Sequence, residues 1–293
     1  MTIRPRRSAL YMPGSNARAL EKARSLDTDV VIFDLEDAVA PSQKDLARAQ
    51  VVAAIKAGGY GRRELVVRIN GLSTPWGRDD LLAAGGCGAH AVLLPKVATP
   101  GDLTRPAHEL NEAGIGENVR IWAMMETPMA VLNADSLLRT AIDPSTRLDC
   151  LVMGTNDLVK DMRARLTKGR AGLLPLLANC VVAARAYGVD ILDGVFGDLQ
   201  DEARLRAECE QGRDLGMDGK TLIHPGQLGI ANEVFGPSPE EVAWSRKVVA
   251  AFADPAHRDA GVIALEGKMV ERLHEVMARR TLAIMEALGQ ASN

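Results

Sequence analysis

The chain of 293 residues is 47% apolar and 25% charged, a composition that suits one large domain or two small ones. Its net charge of −3 supplies no basic footprint for nucleic acid or for an anionic membrane surface. No apolar run approaches the roughly 18 residues that a membrane span requires. The four cysteines are scattered and form no C-x-x-C pair, which favours reduced thiols over zinc or disulfides and predicts a cytoplasmic protein.

Eight short apolar runs predict buried parallel strands. In chain order they are Ser8–Met12, Val30–Asp37, Leu65–Asn70, Ala91–Val97, Ile121–Thr127, Leu151–Leu158, Asp190–Phe196 and Thr221–Pro225. Amphipathic segments lie between them, and Ser42, Thr99 and Asp198 carry helix-start signals. A doubly wound sheet would want a glycine-rich phosphate turn, and Pro13-Gly14-Ser15 is too short for one. The alternation therefore predicts a (β/α)8 TIM barrel.

The chain continues well beyond the eighth predicted strand. Helical periodicity covers Ser238–Ala253 and Lys268–Leu288, with a short apolar run between them. We expect residues 1–236 to form the catalytic barrel and residues 237–293 a C-terminal helical extension. Because the barrel is already closed, this extension should pack outside it or on a neighbouring subunit.

Charged residues follow the predicted strands at corresponding places. In a barrel these positions share the C-terminal face, where active sites are built. They are Glu36, Asp37, Arg68, Lys96, Glu126 and Asp157. Glu126 and Asp157 suit Mg²⁺, which accepts one or two carboxylates together with waters and substrate oxygens. The guanidinium of Arg68 suits a carboxylate.

Two readings of these charges stay open. In the first, Glu36 and Asp37 hold metal-bound water or orient other ligands beside the metal. In the second, the charges form a structural ion-pair network at the barrel mouth. The same two interpretations apply to Lys96, which could steer an acidic ligand or cap the mouth of the barrel.

The motifs resemble those of the citrate lyase β-subunit-like family, which is related to malyl-CoA and citramalyl-CoA lyases within the HpcH/HpaI-type aldolases. The resemblance runs from Arg7 to about Ala278. Its pieces are RSALYMPGSNARALEKA, VVIFDLEDAV followed by Pro41 and Lys44, LVVRINGLSTPWGRDDL, LLPKV, METP, GTNDL, DGVFGDL, GKTLIHPGQ and EGKMVE.

The resemblance implies a trimer of (β/α)8 barrels with Mg²⁺ on Glu126 and Asp157. It places Arg68 as a catalytic residue on the carboxylate of a keto acid (oxaloacetate, pyruvate or glyoxylate), with Glu126 and Lys96 also facing the substrate. It implies a coenzyme A thioester as the second part of the substrate. The residues implied for the carrier are Tyr11, Pro13, Ser15, Arg18 and Lys22, of which the last two would meet its phosphates.

The sequence departs from this family at one catalytic position. The lyases use an aspartate from a G-K-M-x-D stretch, contributed across a subunit boundary, for proton transfer. This chain carries Glu271 there, one methylene longer. A displacement of about 1 Å can lower a rate on the order of a hundredfold. Glu271 is therefore the base with altered geometry, or the reaction differs, or Glu271 is a surface residue of the last helix.

Four functions fit these observations. The leading one is a Mg²⁺-dependent carbon–carbon lyase that cleaves a 3-hydroxy-dicarboxyl thioester, of malyl-CoA, citramalyl-CoA or citryl type. The second is a thioesterase for malyl-CoA. The third is a subunit of a citrate lyase complex with an acyl carrier, and the fourth is a thioester-binding protein that has lost its base.

Overall fold

The computed structural model describes residues 3–289 and confirms the closed parallel barrel. Each strand pairs with the next in the chain, and β1 pairs with β8 to close the ring. The strands are β1 Ser8–Pro13, β2 Val30–Asp34, β3 Glu64–Arg68, β4 Ala91–Leu94, β5 Arg120–Met125, β6 Leu148–Met153, β7 Asp190–Asp193 and β8 Gly219–Leu222.

Helices follow the strands. Within the described residues they are α1 Ala17–Lys22, α2 Lys44–Ala57, α3 Gly77–Gly86, α4 Gly101–Glu112, α5 Pro128–Leu132, α6 Ala134–Arg139, α7 Thr155–Asp161, α8 Leu174–Ala186, α9 Glu202–Leu215, α10 Leu228–Phe235, α11 Pro239–Ala253 and α12 Arg272–Ala287. Four of these described helices, α1, α5, α9 and α11, have N-cap side chains that accept a backbone N–H. The start predicted at Asp198 was wrong by one turn. Asp201 caps α9 instead, because its side chain accepts the N–H of Arg204 at 2.9 Å.

Strand alternation decides which side chains enter the barrel. The interior holds a buried apolar cluster that includes Ile32 of β2, Val66 of β3 and Met124 of β5. Because strand side chains repeat every two residues, the next inward positions after these three are those of Asp34, Arg68 and Glu126. The C-terminal face of the barrel is therefore charged, although the strands that lead to it are apolar.

Seven of the eight predicted strands, all but the first, were too long at their C-terminal ends, and at two of them this changes the placement of acidic residues. β2 ends at Asp34, so Glu36 and Asp37 lie in the turn after the strand. β6 ends at Met153, and Asp157 lies in the first turn of α7. A carboxylate is favourable there because the N-terminus of a helix carries partial positive charge.

Residues Arg6–Asn232 form one compact unit, and a second unit begins at Glu233. No helix of residues 3–289 has the length and hydropathy to cross a membrane. In the second unit, α11 and α12 enclose a small apolar core with a β-hairpin. This core contains Val248, Phe252, Ile263, Val270 and Ala278.

The predicted helix over Lys268–Leu288 began too early. Residues Lys268–Glu271 form the strand β10, which pairs antiparallel with β9, Val262–Leu265. The two residues between them, Glu266 and Gly267, have φ of 50° and 76°. Positive φ at both central residues is the signature of a tight hairpin turn, so the chain reverses before α12 begins at Arg272.

Gly219 at the start of β8 is required for closure of the barrel. A Cβ at this position would lie 1.9 Å from the carbonyl oxygen of Arg6, in the chain that enters β1. Gly219→Ala should therefore destabilise the barrel by about 2 kcal/mol or more, because backbone at the seam has to move. Urea denaturation measures this change.

The matched control is Gly229→Ala in α10, where a Cβ meets no atom within 4 Å. This change should be neutral or stabilise by up to about 1 kcal/mol through helix propensity. Equal stability of the two variants would show that the seam does not need glycine.

Candidate active site

A cavity of about 380 Å³ opens at the C-terminal end of the barrel. Its wall combines charged side chains with apolar and small residues, and both halves of the chain contribute to it. The lining residues are Tyr11, Pro13, Asp34, Asp37, Ala38, Arg68, Met124, Glu126, Met153, Gly154, Thr155, Asn156, Asp157, Val195, Thr221 and Ile223.

The centre of the site is a buried ion pair between Arg68 and Asp34. Arg68 Nε donates to Asp34 Oδ1 at 2.8 Å, and Nη2 donates to Oδ2 at 2.7 Å. The two residues are 8% and 1% exposed. The sequence analysis missed Asp34, although the inward alternation of β2 points to it.

Further groups surround the guanidinium of Arg68. Its Nη1 lies 3.0 Å from Glu36 Oε2 and 3.3 Å from Asp37 Oδ2. The ring of Tyr11 lies with its centroid 4.8 Å from Cζ, and burial raises the pKa of its phenol. The structure therefore brings Glu36, Asp37 and Arg68 together as predicted, and adds Tyr11 as a stacking partner.

Glu126 follows β5 and is 2% exposed. Its Oε1 accepts the backbone N–H of Lys96 at 2.6 Å. Burial, helped by the charges of Glu36 and Asp157, raises the pKa of this carboxyl to about 7 against the opposing hydrogen bond from Lys96. Gly154 leaves room for the side chain, since a Cβ there would lie 2.3 Å from Glu126 Cβ.

Asp157 lines the cavity from the first turn of α7, and its side chain is 26% exposed. Lys160 Nζ donates to Asp157 Oδ1 at 3.1 Å. Lys96 Nζ lies 3.5 Å from Glu36 Oε1, and the pKa of Lys96 is raised by Glu36 and Asp157 despite partial burial. The two predicted metal carboxylates thus share one cavity, whereas Glu36 and Lys96 line a second pocket.

The donor set fits Mg²⁺ better than a softer metal. Among residues 3–289 there is no group of three or more His, Cys, Asp or Glu that could hold an ion by itself. Mg²⁺ needs only one or two carboxylates because it keeps waters and accepts substrate oxygens. The raised pKa of Glu126 marks a surplus of buried negative charge that a divalent cation would neutralise.

The residues predicted for the thioester carrier divide into two groups. Tyr11 and Pro13 line the cavity. Ser15 is half-buried in the turn after β1, whereas Arg18 and Lys22 are exposed on α1, four residues apart and hence on one face of that helix. Within the described residues, no side-chain hydrogen bond of Ser15, Arg18 or Lys22 links this helix face to the cavity.

Glu271 stands at the junction of β10 and α12 in the second unit. Its backbone N–H donates to His274 Nδ1 at 2.9 Å. Its register partner in the hairpin is Val262.

Comparison with known proteins assigns the family. The model of HpcH/HpaI aldolase/citrate lyase matches residues 7–225. The chain belongs to this family. A (3S)-malyl-CoA thioesterase of Cereibacter sphaeroides is 48% identical over 285 residues, covering 97% of this chain and 96% of the relative. The citrate lyase subunit beta of Leuconostoc mesenteroides subsp. cremoris is 33% identical over 293 residues, covering 97% and 94%.

Solved structures similar to this chain include complexes with magnesium. The CitE protein of Mycobacterium tuberculosis in complex with magnesium, acetoacetate and coenzyme A is 26% identical. It matches with a TM-score of 0.74 over 99% of this chain and 100% of that one. The predicted family and fold are thereby confirmed.

The raised pKa of Glu126 predicts a pH-dependent stability in metal-free protein. Because folding raises this pKa from 4.5 to about 7, the protonated form is favoured in the folded state. The resulting stabilisation is full below pH 4.5 and is lost as the pH rises through 7, by up to about 3 kcal/mol. Glu126→Gln removes this titration, so its stability relative to wild type should rise across the window.

Urea denaturation in EDTA between pH 4.5 and 8 measures the difference between the two proteins. Glu117→Gln, an exposed position, is the control and should follow wild type at every pH. If the free energies of unfolding of Glu126→Gln and wild type changed with pH in the same way, this result would contradict the raised pKa of Glu126.

Proposed function

We propose that this chain is a Mg²⁺-dependent enzyme that acts on a coenzyme A thioester of a 3-hydroxy-dicarboxylic acid, of the malyl-CoA type. One observation carries the proposal: a buried arginine and a surplus of buried carboxylates face the same cavity. The arginine suits an anionic substrate, and the carboxylates suit a metal that binds the oxygens of that substrate. The family membership supports the same pairing.

Arg68 binds the carboxylate of the acid portion. A guanidinium has five N–H groups, and within the described chain three of these donate to Asp34 and Asp37. The other two lie on the terminal nitrogens, which form the edge that a carboxylate engages with two parallel hydrogen bonds. Asp34 keeps this edge directed into the cavity.

Glu126 and Asp157 hold the metal, while Glu36 and Asp37 orient its water ligands. When bound, Mg²⁺ supplies Lewis acidity and a template for the hydroxyl and carboxylate oxygens of the substrate. Lys96 offsets part of the negative charge around Glu36. Arg18 and Lys22 meet the phosphates of the carrier, and Tyr11, Pro13 and Ser15 border the path of its thiol arm.

We propose thioester hydrolysis as the principal reaction. The 48% identical relative over nearly the whole of both chains is a malyl-CoA thioesterase, whereas the citrate lyase relative is 33% identical. Hydrolysis adds water to the thioester carbonyl, breaks the C–S bond and releases malate with the protonated thiol. Glutamate in place of the family aspartate at Glu271 agrees with a reaction other than carbon–carbon cleavage.

Carbon–carbon cleavage is the second candidate, and the family membership favours it. In that reaction the bond between C2 and C3 breaks, a keto acid leaves and the enolate of the thioester is protonated. Glu271 is the proposed proton-transfer group in either reaction, contributed by a neighbouring subunit of a homotrimer. An exposed apolar surface on the second unit supports such an assembly. It consists of Val262, Met269, Leu273, Val276 and Met277.

Loss of either metal carboxylate should abolish turnover that depends on Mg²⁺. Glu126→Gln and Asp157→Asn each remove an anionic oxygen donor and should lower kcat by about a hundredfold or more. Asp161→Asn, an exposed carboxylate on the same helix as Asp157, is the control and should keep wild-type rates. Release of free thiol from malyl-CoA at increasing Mg²⁺ measures this effect, and full activity of either metal-site variant would remove that residue from the site.

The products separate the two reactions. Wild type incubated with (3S)-malyl-CoA and Mg²⁺ should yield malate and free coenzyme A in equal amounts. Glu271→Asp restores the shorter carboxylate of the lyases and should raise the fraction of glyoxylate and acetyl-CoA several-fold. Glu266→Asp, in the neighbouring hairpin turn, is the control. Glyoxylate and acetyl-CoA as the main wild-type products would establish the lyase instead.

A further inference from the structure

Lys44, the first residue of α2, is a buried lysine with an unusual set of partners. It is 6% exposed, and its Nζ donates to the backbone oxygens of Leu35 at 2.8 Å and of Glu36 at 2.7 Å. Within residues 3–289 it forms no ion pair with a carboxylate. An ammonium group that is buried against carbonyl oxygens alone is costly, so its placement calls for a reason other than stability.

The helix itself does not supply that reason. A positive charge at the first position of α2 is next to the positive end of the helix dipole, which is unfavourable. Burial also lowers the pKa of Lys44, while the nearby charges of Asp34 and Glu36 act to raise it. The side chain passes close to the face of Trp76, with Nζ 5.7 Å from the ring centroid.

The two carbonyls belong to the turn that carries Glu36. On the other side of this turn, the N–H of Glu36 donates to Asp34 Oδ1 at 2.9 Å. The N–H of Leu35 donates to the carbonyl of Arg68 at 2.9 Å. The carbonyl of Glu36 also accepts the N–H of Val39 at 3.0 Å. Lys44 is the group that joins the carbonyl oxygens of Leu35 and Glu36 to each other.

A second donor reinforces the same turn. Asn70 Nδ2 donates to the carbonyl of Leu35 at 2.9 Å and to Asp80 Oδ2 at 2.6 Å. Asp80 in turn accepts from Arg48 Nε at 2.7 Å. This series of hydrogen bonds links α2 and α3 to the turn after β2. It reaches the turn on the side away from Arg68.

We propose that Lys44 is a positioning residue that holds the Leu35–Glu36 turn so that the Glu36 carboxylate stays against Arg68 and Lys96. The inference rests on the proposed function, in which Glu36 orients the water ligands of the metal. Lys44 touches neither substrate nor metal, and acts through the two carbonyls that it binds. Removal of the amine releases the turn and moves the Glu36 carboxylate away from its 3.0 Å contact with Arg68.

The test compares Lys44→Met with Lys44→Arg in the full-length protein. Lys44→Met keeps the length of the side chain and removes its donors, and kcat should fall about tenfold or more, since small displacements of aligned groups are costly. KM for malyl-CoA should change by less than about threefold. Lys44→Arg keeps donors and charge and should recover most of the lost kcat. Lys56→Met, at an exposed position of the same helix, should match wild type.

A double-mutant cycle with Glu36→Gln separates positioning from a general structural role. If Lys44 acts through Glu36, the double variant should lose no more than Glu36→Gln alone, within about twofold. Multiplied losses in the double variant, or a kcat of Lys44→Met within twofold of wild type, would overturn the proposal. If Lys44→Met does not fold, Asn70→Ala, which removes the other donor to Leu35, enters the same cycle.

Calorimetric titration with Mg²⁺ in the presence of oxaloacetate repeats the cycle without turnover. Weaker Mg²⁺ binding by Lys44→Met that is not further weakened by Glu36→Gln supports the positioning role, and independent losses refute it. A wild type that binds Mg²⁺ and oxaloacetate but leaves malyl-CoA intact would refute the proposed reaction alone. The two failures are thereby distinguishable.

Discussion

The ion pair between Asp34 and Arg68 is the constraint on which the site depends. The two residues are direct register partners at the ends of β2 and β3. A slip of one residue in this register would turn one of them to the other face of the sheet. Removal of one partner from a buried pair leaves an uncompensated charge that costs several kcal/mol. The pairing of β2 with β3 therefore also fixes the orientation of the Arg68 guanidinium.

Beyond this pair, negative charge outweighs positive charge around the cavity. Burial raises the pKa of Glu36 and Glu126 more than Arg68 and Lys96 lower it. Structural ion-pair networks balance their charges, as Asp193 does with Lys220 and Arg170 on the other side of the barrel, where the pKa of Asp193 is lowered. The imbalance at the cavity distinguishes it from such a network and is the reason to assign a cation to it.

The barrel was predictable from sequence because each strand is an apolar run and each connection is long enough for a helix. The ends of the strands were harder to predict. Glu36 and Asp157 follow apolar runs closely, yet a tight turn in one case and a helix start in the other separate them from the strand. Asp34 was overlooked because the more obvious acids follow it by two and three residues.

The contacts of other site residues have no signal in a single sequence. Lys44 belongs to a motif of the family resemblance, but its proposed role depends on carbonyl oxygens, which every residue has, so the sequence does not predict which groups it binds. Gly154 is needed only because Glu126 from the preceding strand fills the space of its missing Cβ. Such contacts join residues that are distant in the chain. They become visible only after the register of the barrel is known.

Under the proposed role of Glu271 in proton transfer, the choice between hydrolysis and carbon–carbon cleavage depends on how well its carboxylate can be placed. The backbone at Glu271 is fixed by its pairing with Val262 and by its N–H to His274, and the next N–H, of Arg272, donates to the carbonyl of Gly261 at 3.2 Å. These contacts hold the main chain in place, so it cannot shift to compensate for the additional methylene of the glutamate side chain. A direct proton transfer to carbon tolerates little misplacement, whereas a water molecule between carboxylate and thioester adjusts to a change in reach. A fixed backbone with a longer side chain thus favours hydrolysis, in which a water molecule lies between the carboxylate and the thioester, over a reaction that needs direct proton transfer to carbon.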